Sequence, residues 1–223
     1  MSYGAMLTDA NGVPFYIDGT MPLTLLEKRV ITSTNGLASY DLVANDGTLR
    51  FIFLQAADTD FTTATNCEWL VVENGLWRLY TNGSSRSINV FIFGYAIQPI
   101  PAWGIQINNA AGQCILTNET KPLRDVQSFG DISADSTSGY NISTTLSGSW
   151  AIAPQATGLF TAVDISGGQT RPVQAWYYGV ARYNGSQTIL RSAFRGSNTG
   201  SNLQNPAYIN SRTKLNAVNV SRY

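Results

Sequence analysis

The chain repeats itself. Tyr3 to Leu23, "YGAMLTDANGVPFYIDGTMPL", lies over Trp103 to Leu123, "WGIQINNAAGQCILTNETKPL", without a gap at an offset of 100 residues. Six pairs are identical, Gly4/Gly104, Ala10/Ala110, Gly12/Gly112, Thr20/Thr120, Pro22/Pro122 and Leu23/Leu123, and aromatic Tyr3 stands opposite aromatic Trp103. Gly12 and Gly112 end short polar stretches, where a residue tolerant of positive φ closes a hairpin. Ile105 and Ile107 alternate with Gln106 and Asn108, the period of a half-buried strand, and Ala5 and Leu7 hold the equivalent places. Pro22 and Pro122 stop the second strand or move it to a sheet edge. A second correspondence follows in each half: Asn74-Gly75 within "EWLVVENGLWRLY" and Asn184-Gly185 within "VQAWYYGVARYNGSQTILRSAF" are hairpin signals between strand-like runs.

Strand signals recur throughout, from "RVIT", "ASYDLV", "LRFIFLQ" and "INVFIFGY" to "CILT", "YNIST", "WAIA", "GLFTAVDI" and "NAVNV". Helical periodicity is weak; the best helical segment is "PLTLLEKR", Pro22 to Arg29, a single turn. In "INVFIFGYAI" both faces are apolar, with Ile88, Val90 and Ile92 on one and Phe91, Phe93 and Tyr95 on the other, which predicts a central strand covered twice. The fold class read from these patterns is all-β, as two tandem, duplicated antiparallel β-sandwich-like domains at residues 1–98 and 103–223. A proline-containing linker, 99–102, joins them, stiffened by Pro99 and Pro101. The second copy is longer, and Arg195 to Arg212, "RGSNTGSNLQNPAYINSR", reads as an added loop with little core character.

Composition narrows the chemistry. The chain has no histidine, which removes the usual general base, the commonest metal ligand and every Ser-His or Cys-His pair. Cys67 and Cys114 have no Cys-x-x-Cys spacing, occupy non-equivalent places, and are expected to be reduced and packed. No phosphate loop or dinucleotide signature is present. Carboxylate pairs remain, Asp58 with Asp60 or Asp131 with Asp135, but spacing does not set either pair across a cleft, and "DTD" is only a fragment of a calcium loop. The expectation is a non-enzyme with no cofactor and no metal. Fourteen basic against fourteen acidic residues supply no field for nucleic acid. No apolar run approaches the roughly 20 residues of a spanning helix, so no membrane insertion is expected. The N-terminus lacks the basic start and apolar centre of a secretion signal, which predicts synthesis in a cytoplasm without export by that route.

The opening of each copy carries a resemblance. Tyr-Gly or Trp-Gly, an alternating strand, an Ala-x-Gly turn, a second strand and Pro-Leu resembles small all-β proteins encoded among the tail genes of tailed bacteriophages, as does the short closing strand "LNAVNVSRY". The resemblance covers about fifty residues. It implies a non-enzymatic virion component at the tail tip, baseplate or fibre attachment, made in the host cytoplasm, partnered with other tail proteins in a symmetric multi-subunit assembly. On that reading the first copy anchors and the second presents its added loop, with Arg191, Arg195, Asn198, Asn202, Tyr208 and Arg212 as partner contacts. The alternative is a module that binds a host surface glycan or protein, with Trp176, Tyr177, Tyr178, Tyr183 and Tyr208 as stacking groups. One alternating strand cannot place Trp176, Tyr177 and Tyr178 on the same side, so at least one belongs to the core.

Overall fold

The computed structural model of the protein describes residues 6–8, 14–17, 21–58, 66–132, 142–196 and 202–223. The first half holds β1 (Met6–Thr8), β2 (Pro14–Ile17), β3 (Thr24–Thr32), β4 (Ala38–Ala44), β5 (Arg50–Ala57), β6 (Cys67–Glu73), β7 (Leu76–Asn82) and β8 (Ser87–Gly94). The second holds β9 (Gln106–Asn108), β10 (Cys114–Thr117), β11 (Gln127–Phe129), β12 (Ser143–Ser147) and β13 (Trp150–Ile152). It continues through β14 (Ala156–Asp164), β15 (Arg171–Tyr183), β16 (Gln187–Phe194), β17 (Leu203–Asn210) and β18 (Leu215–Asn219). The fold is all-β, with sandwich-type packing of sheet on sheet.

Two-sided burial organises the first half. Strand β8 lies between β3 and β5, and both of its faces are apolar, so each needs a cover. Ile88, Val90 and Ile92 meet Ile52, Leu54 and Ala56 of β5 and Leu42 and Leu79 of the facing sheet β4-β7-β6. Phe91 and Phe93 turn the other way, onto Phe53, Ala151, Val218 and Val220. Burying one such side chain contributes about 1.5–3 kcal/mol, which is why this strand occupies the centre.

The strand order of the first half recurs in the second. Strands β3-β8-β5 and β4-β7-β6 of the first half have counterparts in β11-β18-β13 and β12-β16-β15. The second core lies between those two runs, with Trp150, Ile152, Leu215 and Ala217 facing Ala181 and Leu190. Strands β14 and β17 have no counterpart; β14 pairs with the long N-terminal part of β15, and β17 lines the free edge of β14. The repeated hairpins agree residue by residue. In β1-β2 the partners are Met6/Ile17, Leu7/Tyr16 and Thr8/Pro14, and in β9-β10 they are Gln106/Thr117, Ile107/Leu116 and Asn108/Cys114. These are the same pairs at an offset of 100, with the irregularity in the same place.

Hydrogen bonding crosses the 99–102 connection. Strands β5 and β13, which hold equivalent places in their halves, pair antiparallel at Leu54 and Ile152, while the end of β5 runs parallel to β15 at Ala56/Arg182 and Ala57/Tyr183. The two Pro-Leu segments also meet each other. Thr24 stands opposite Pro122, the Leu25 amide donates to the Lys121 carbonyl at 2.9 Å, and the Leu123 amide donates to the Leu23 carbonyl at 2.7 Å. Pro122 therefore ends its hairpin by handing the chain to its counterpart segment.

Two sequence expectations are corrected. Pro22 to Arg29 is not a helical turn: Thr24 onward is β3, and a bulge at Leu25/Glu27 breaks the alternation that would have marked it as a strand. Arg195 to Arg212 is not wholly a loop, since Leu203–Asn210 forms β17. That strand sits at a sheet edge with little burial on either face, so it shows no apolar period, and Pro206 and left-handed Asn205 (φ 51°) fall at its bulge.

Candidate functional site

Strand β15 separates the three aromatics proposed for stacking. Tyr177 turns into the core beside Phe194 (ring centroids 5.2 Å) and is 9% exposed, whereas Trp176 on the opposite face is 38% exposed. Tyr178, on the same face as Trp176, lies nearly parallel to Trp69 at 6.1 Å. Tyr183 ends the strand and donates its hydroxyl to the Gly185 carbonyl at 2.6 Å, closing the Asn184-Gly185 hairpin.

The proposed contact residues divide in the same way. Arg195 follows β16 and is exposed; its amide donates to the Trp176 carbonyl at 2.8 Å, which sets the two side chains beside each other. Arg191 lies within β16 opposite Val180, half-buried, and packs in the body of the sheet. Tyr208 faces Phe160 at 5.2 Å, in register with it across β14 and β17, and so belongs to the opposite face from Trp176. Asn202 is exposed just before β17, and Arg212 follows it with φ 53°. Asn198 lies outside the described residues. The structure thus brings together Arg195 and Trp176 and leaves Arg191 and Tyr208 apart from them.

The piece that sequence reasoning missed comes from the first half. Trp69 of β6 is 1% exposed, and its ring lies nearly parallel to that of Tyr80 at 5.6 Å. Tyr80 is held by its hydroxyl, which donates to Glu73 at 2.6 Å. The guanidinium carbon of Arg195 lies 4.5 Å from the centre of the Trp69 ring, within cation–π range. Asn82 of β7 fixes the same residue from behind, its side-chain amide donating to the Arg195 carbonyl at 3.1 Å. Backbone and guanidinium are therefore both held, and among the described residues the guanidinium meets no carboxylate. Gln174, Ala175, Trp176, Arg195 and Gly196 line an open depression at this place. Gly196 has no room for a side chain, because a Cβ there would lie 2.3 Å from the Phe194 ring.

Beneath this face lies a closed ionic network. Arg182 of β15 donates through Nη1 to both oxygens of Glu68 on β6, at 2.8 and 2.7 Å, and Arg86 donates to the same carboxylate. Arg182 also donates to the Asn66 carbonyl and stands 3.8 Å from Asp58, which accepts from Asn66 at 3.0 Å. Two guanidiniums against two carboxylates leave no net charge, as burial demands. Asp58 is thus an ion-pair member. Its proposed partner Asp60, like Asp135, lies outside the described residues. Cys67, next to this network, is free and buried, and burial pushes its thiol up, so it remains protonated and unreactive; Cys114 is likewise free and buried.

Comparison with protein-family models, with curated proteins and with solved structures finds no match.

Proposed function

We propose that the chain is a duplicated β-sandwich protein that serves as a non-enzymatic structural component of a bacteriophage tail, at the tip, baseplate or fibre attachment. The observation that carries this reading is the repeated hairpin. The residues that resemble phage tail proteins form the same hairpin twice, in the same register at an offset of 100 residues, and the Pro-Leu ends of the two hairpins bond to each other. Matching strand orders in the two halves favour duplication of a whole sandwich over a shared turn. Two related sandwiches joined through equivalent strands present similar surfaces in two orientations, which suits docking around a symmetry axis.

The division of labour follows from what differs between the halves. Strands β14 and β17 occur only in the second; Trp176 of β15 stands opposite Leu159 of β14, and Arg195 stands opposite Trp176 on the other side of β15. This addition supports a second reading, that the second half contacts a host surface while the first holds the chain in the particle. Immunogold labelling of purified tailed particles from a stock carrying the gene tests the first reading. Gold at the tail end agrees with it, and particles free of the chain contradict it. Binding of the labelled chain to intact cells and extracted envelopes from a panel of bacteria tests the second. Strain-selective labelling competed by unlabelled protein agrees with it, and no labelling by the clustered chain opposes it.

A further inference from the structure

We infer that the depression between Trp176 and Arg195 is a binding subsite for an acidic sugar, a hexose ring bearing a carboxylate, with Gln174 as its polar side. The inference rests on the host-contact reading and supplies its ligand chemistry. Three features of the depression point to this class. An exposed indole beside an open hollow offers a flat apolar face on which the C–H face of a pyranose ring stacks. Arg195 presents a planar fork of N–H donors that matches a carboxylate in two parallel hydrogen bonds. The fork is preorganised: Trp69 lies beneath it at 4.5 Å, Asn82 and Trp176 hold its backbone, and no carboxylate among the described residues neutralises it. A structural arginine of this protein looks different, as Arg182 and Arg86 show by their closed pairing with Glu68.

Alternatives fit less well. A neutral sugar would use the indole and leave the guanidinium without its anion. Inorganic phosphate would use the guanidinium and leave the indole bare. A nucleotide would use both, but the chain carries no net positive charge and this hollow has one arginine, so no basic track leads a nucleic acid to it.

The test is calorimetric titration of the full chain with a galacturonate trisaccharide, maltotriose, AMP and inorganic phosphate. The expected result is binding of the galacturonate trisaccharide alone, weakened about ten-fold or more by Arg195→Gln, less by Arg195→Lys, and about ten-fold by Trp176→Ala. Arg195→Lys keeps a cation over Trp69, so an unchanged melting temperature in that variant separates lost recognition from lost folding. Equal binding of maltotriose, AMP or phosphate, absence of galacturonate binding, or binding indifferent to all three variants would overturn the inference. Cell labelling keeps the two levels apart. Labelling that survives Arg195→Gln and excess galacturonate removes this subsite and leaves the host-contact reading, while galacturonate binding without any cell labelling does the reverse.

Discussion

Replacing Glu68 by Gln removes the one carboxylate that both buried arginines share. Glu68, Arg86 and Arg182 have side chains 4%, 3% and 3% exposed, so solvent supplies almost no screening when the pairing fails. The amide keeps the shape but not the charge, and Arg86 and Arg182 are left with Asp58 alone, 3.8 Å from Arg182. Breaking a buried pair on one side costs about 3–5 kcal/mol. For a chain of this size each kcal/mol lowers the melting temperature by about 2–4 °C, so Glu68→Gln is expected to melt roughly 6–20 °C below the parent. Arg78→Met is the reference: it removes a surface arginine, its side chain 25% exposed, paired with Asp41 at 2.6 Å and Glu73 at 3.2 Å, and solvent screening makes its loss much smaller than that of Glu68. Adding Arg182→Gln to Glu68→Gln returns the cluster of Arg86 and Asp58 to zero net charge, so the double variant is expected to lose less than the sum of the two singles. Urea denaturation followed by tryptophan fluorescence and circular dichroism measures all four variants. Glu68→Gln no more destabilising than Arg78→Met would refute the idea that this network holds β6 against β15.

Other consequences are open to direct measurement. Asp46, Glu73 and Asp164 have pKa values held below the ordinary carboxylate range by hydrogen bonds from Thr48, from Tyr80 and Arg78, and from Ser166 respectively. Their contribution to stability is therefore present above the ordinary carboxylate range and lost as pH falls through the folded values; a combined Asp46→Asn, Glu73→Gln, Asp164→Asn variant is expected to show a shallower acid slope in melting temperature. Tyr223 has the opposite sign. Burial raises its pKa, so its contribution is complete below the ordinary tyrosine value and lost as pH rises through the folded one. Tyr223→Phe keeps the edge contact with Phe93 at 5.1 Å but loses the hydroxyl's bond to the Pro122 carbonyl at 2.7 Å, a cost of about 1 kcal/mol, and flattens the alkaline slope. Gly104→Ala is expected to destabilise by more than about 1 kcal/mol in chemical denaturation, because φ is 122° and the new Cβ would lie 2.1 Å from the Asn118 side-chain oxygen.

Local signals made much of this architecture legible. The apolar faces of β8 announced a strand covered twice, and burial on both sides follows. The Asn74-Gly75 pair announced a tight hairpin, and both residues take positive φ, 52° and 73°, as a two-residue turn between β6 and β7 requires. The repeat predicted equivalent hairpins, and the backbone pairs them in one register. Strand β17 escaped because a strand with neither face buried carries no apolar alternation. The site was legible in part. Arg195, Trp176 and the division of Trp176, Tyr177 and Tyr178 between two faces could be read from the second half alone. Trp69 and Asn82 could not, since Asn82 and Arg195 are 113 positions apart and nothing local to β6 or β7 encodes what lies across the interface. The same holds for Glu68 and Arg182, 114 positions apart, whose pairing becomes visible only when β15 is placed against β6.

We propose that this chain is a built-in part of a phage tail. Quantitative mass spectrometry of gradient-purified tailed particles, from a stock carrying the gene, tests it most directly when combined with immunogold localisation. A tail component should give peptides of the chain at a fixed ratio to the tail proteins, retained through high-salt washing, with gold at the end of the tail away from the capsid. Particles that infect normally and contain none of the chain, with all of it left in the soluble lysate, would contradict the claim.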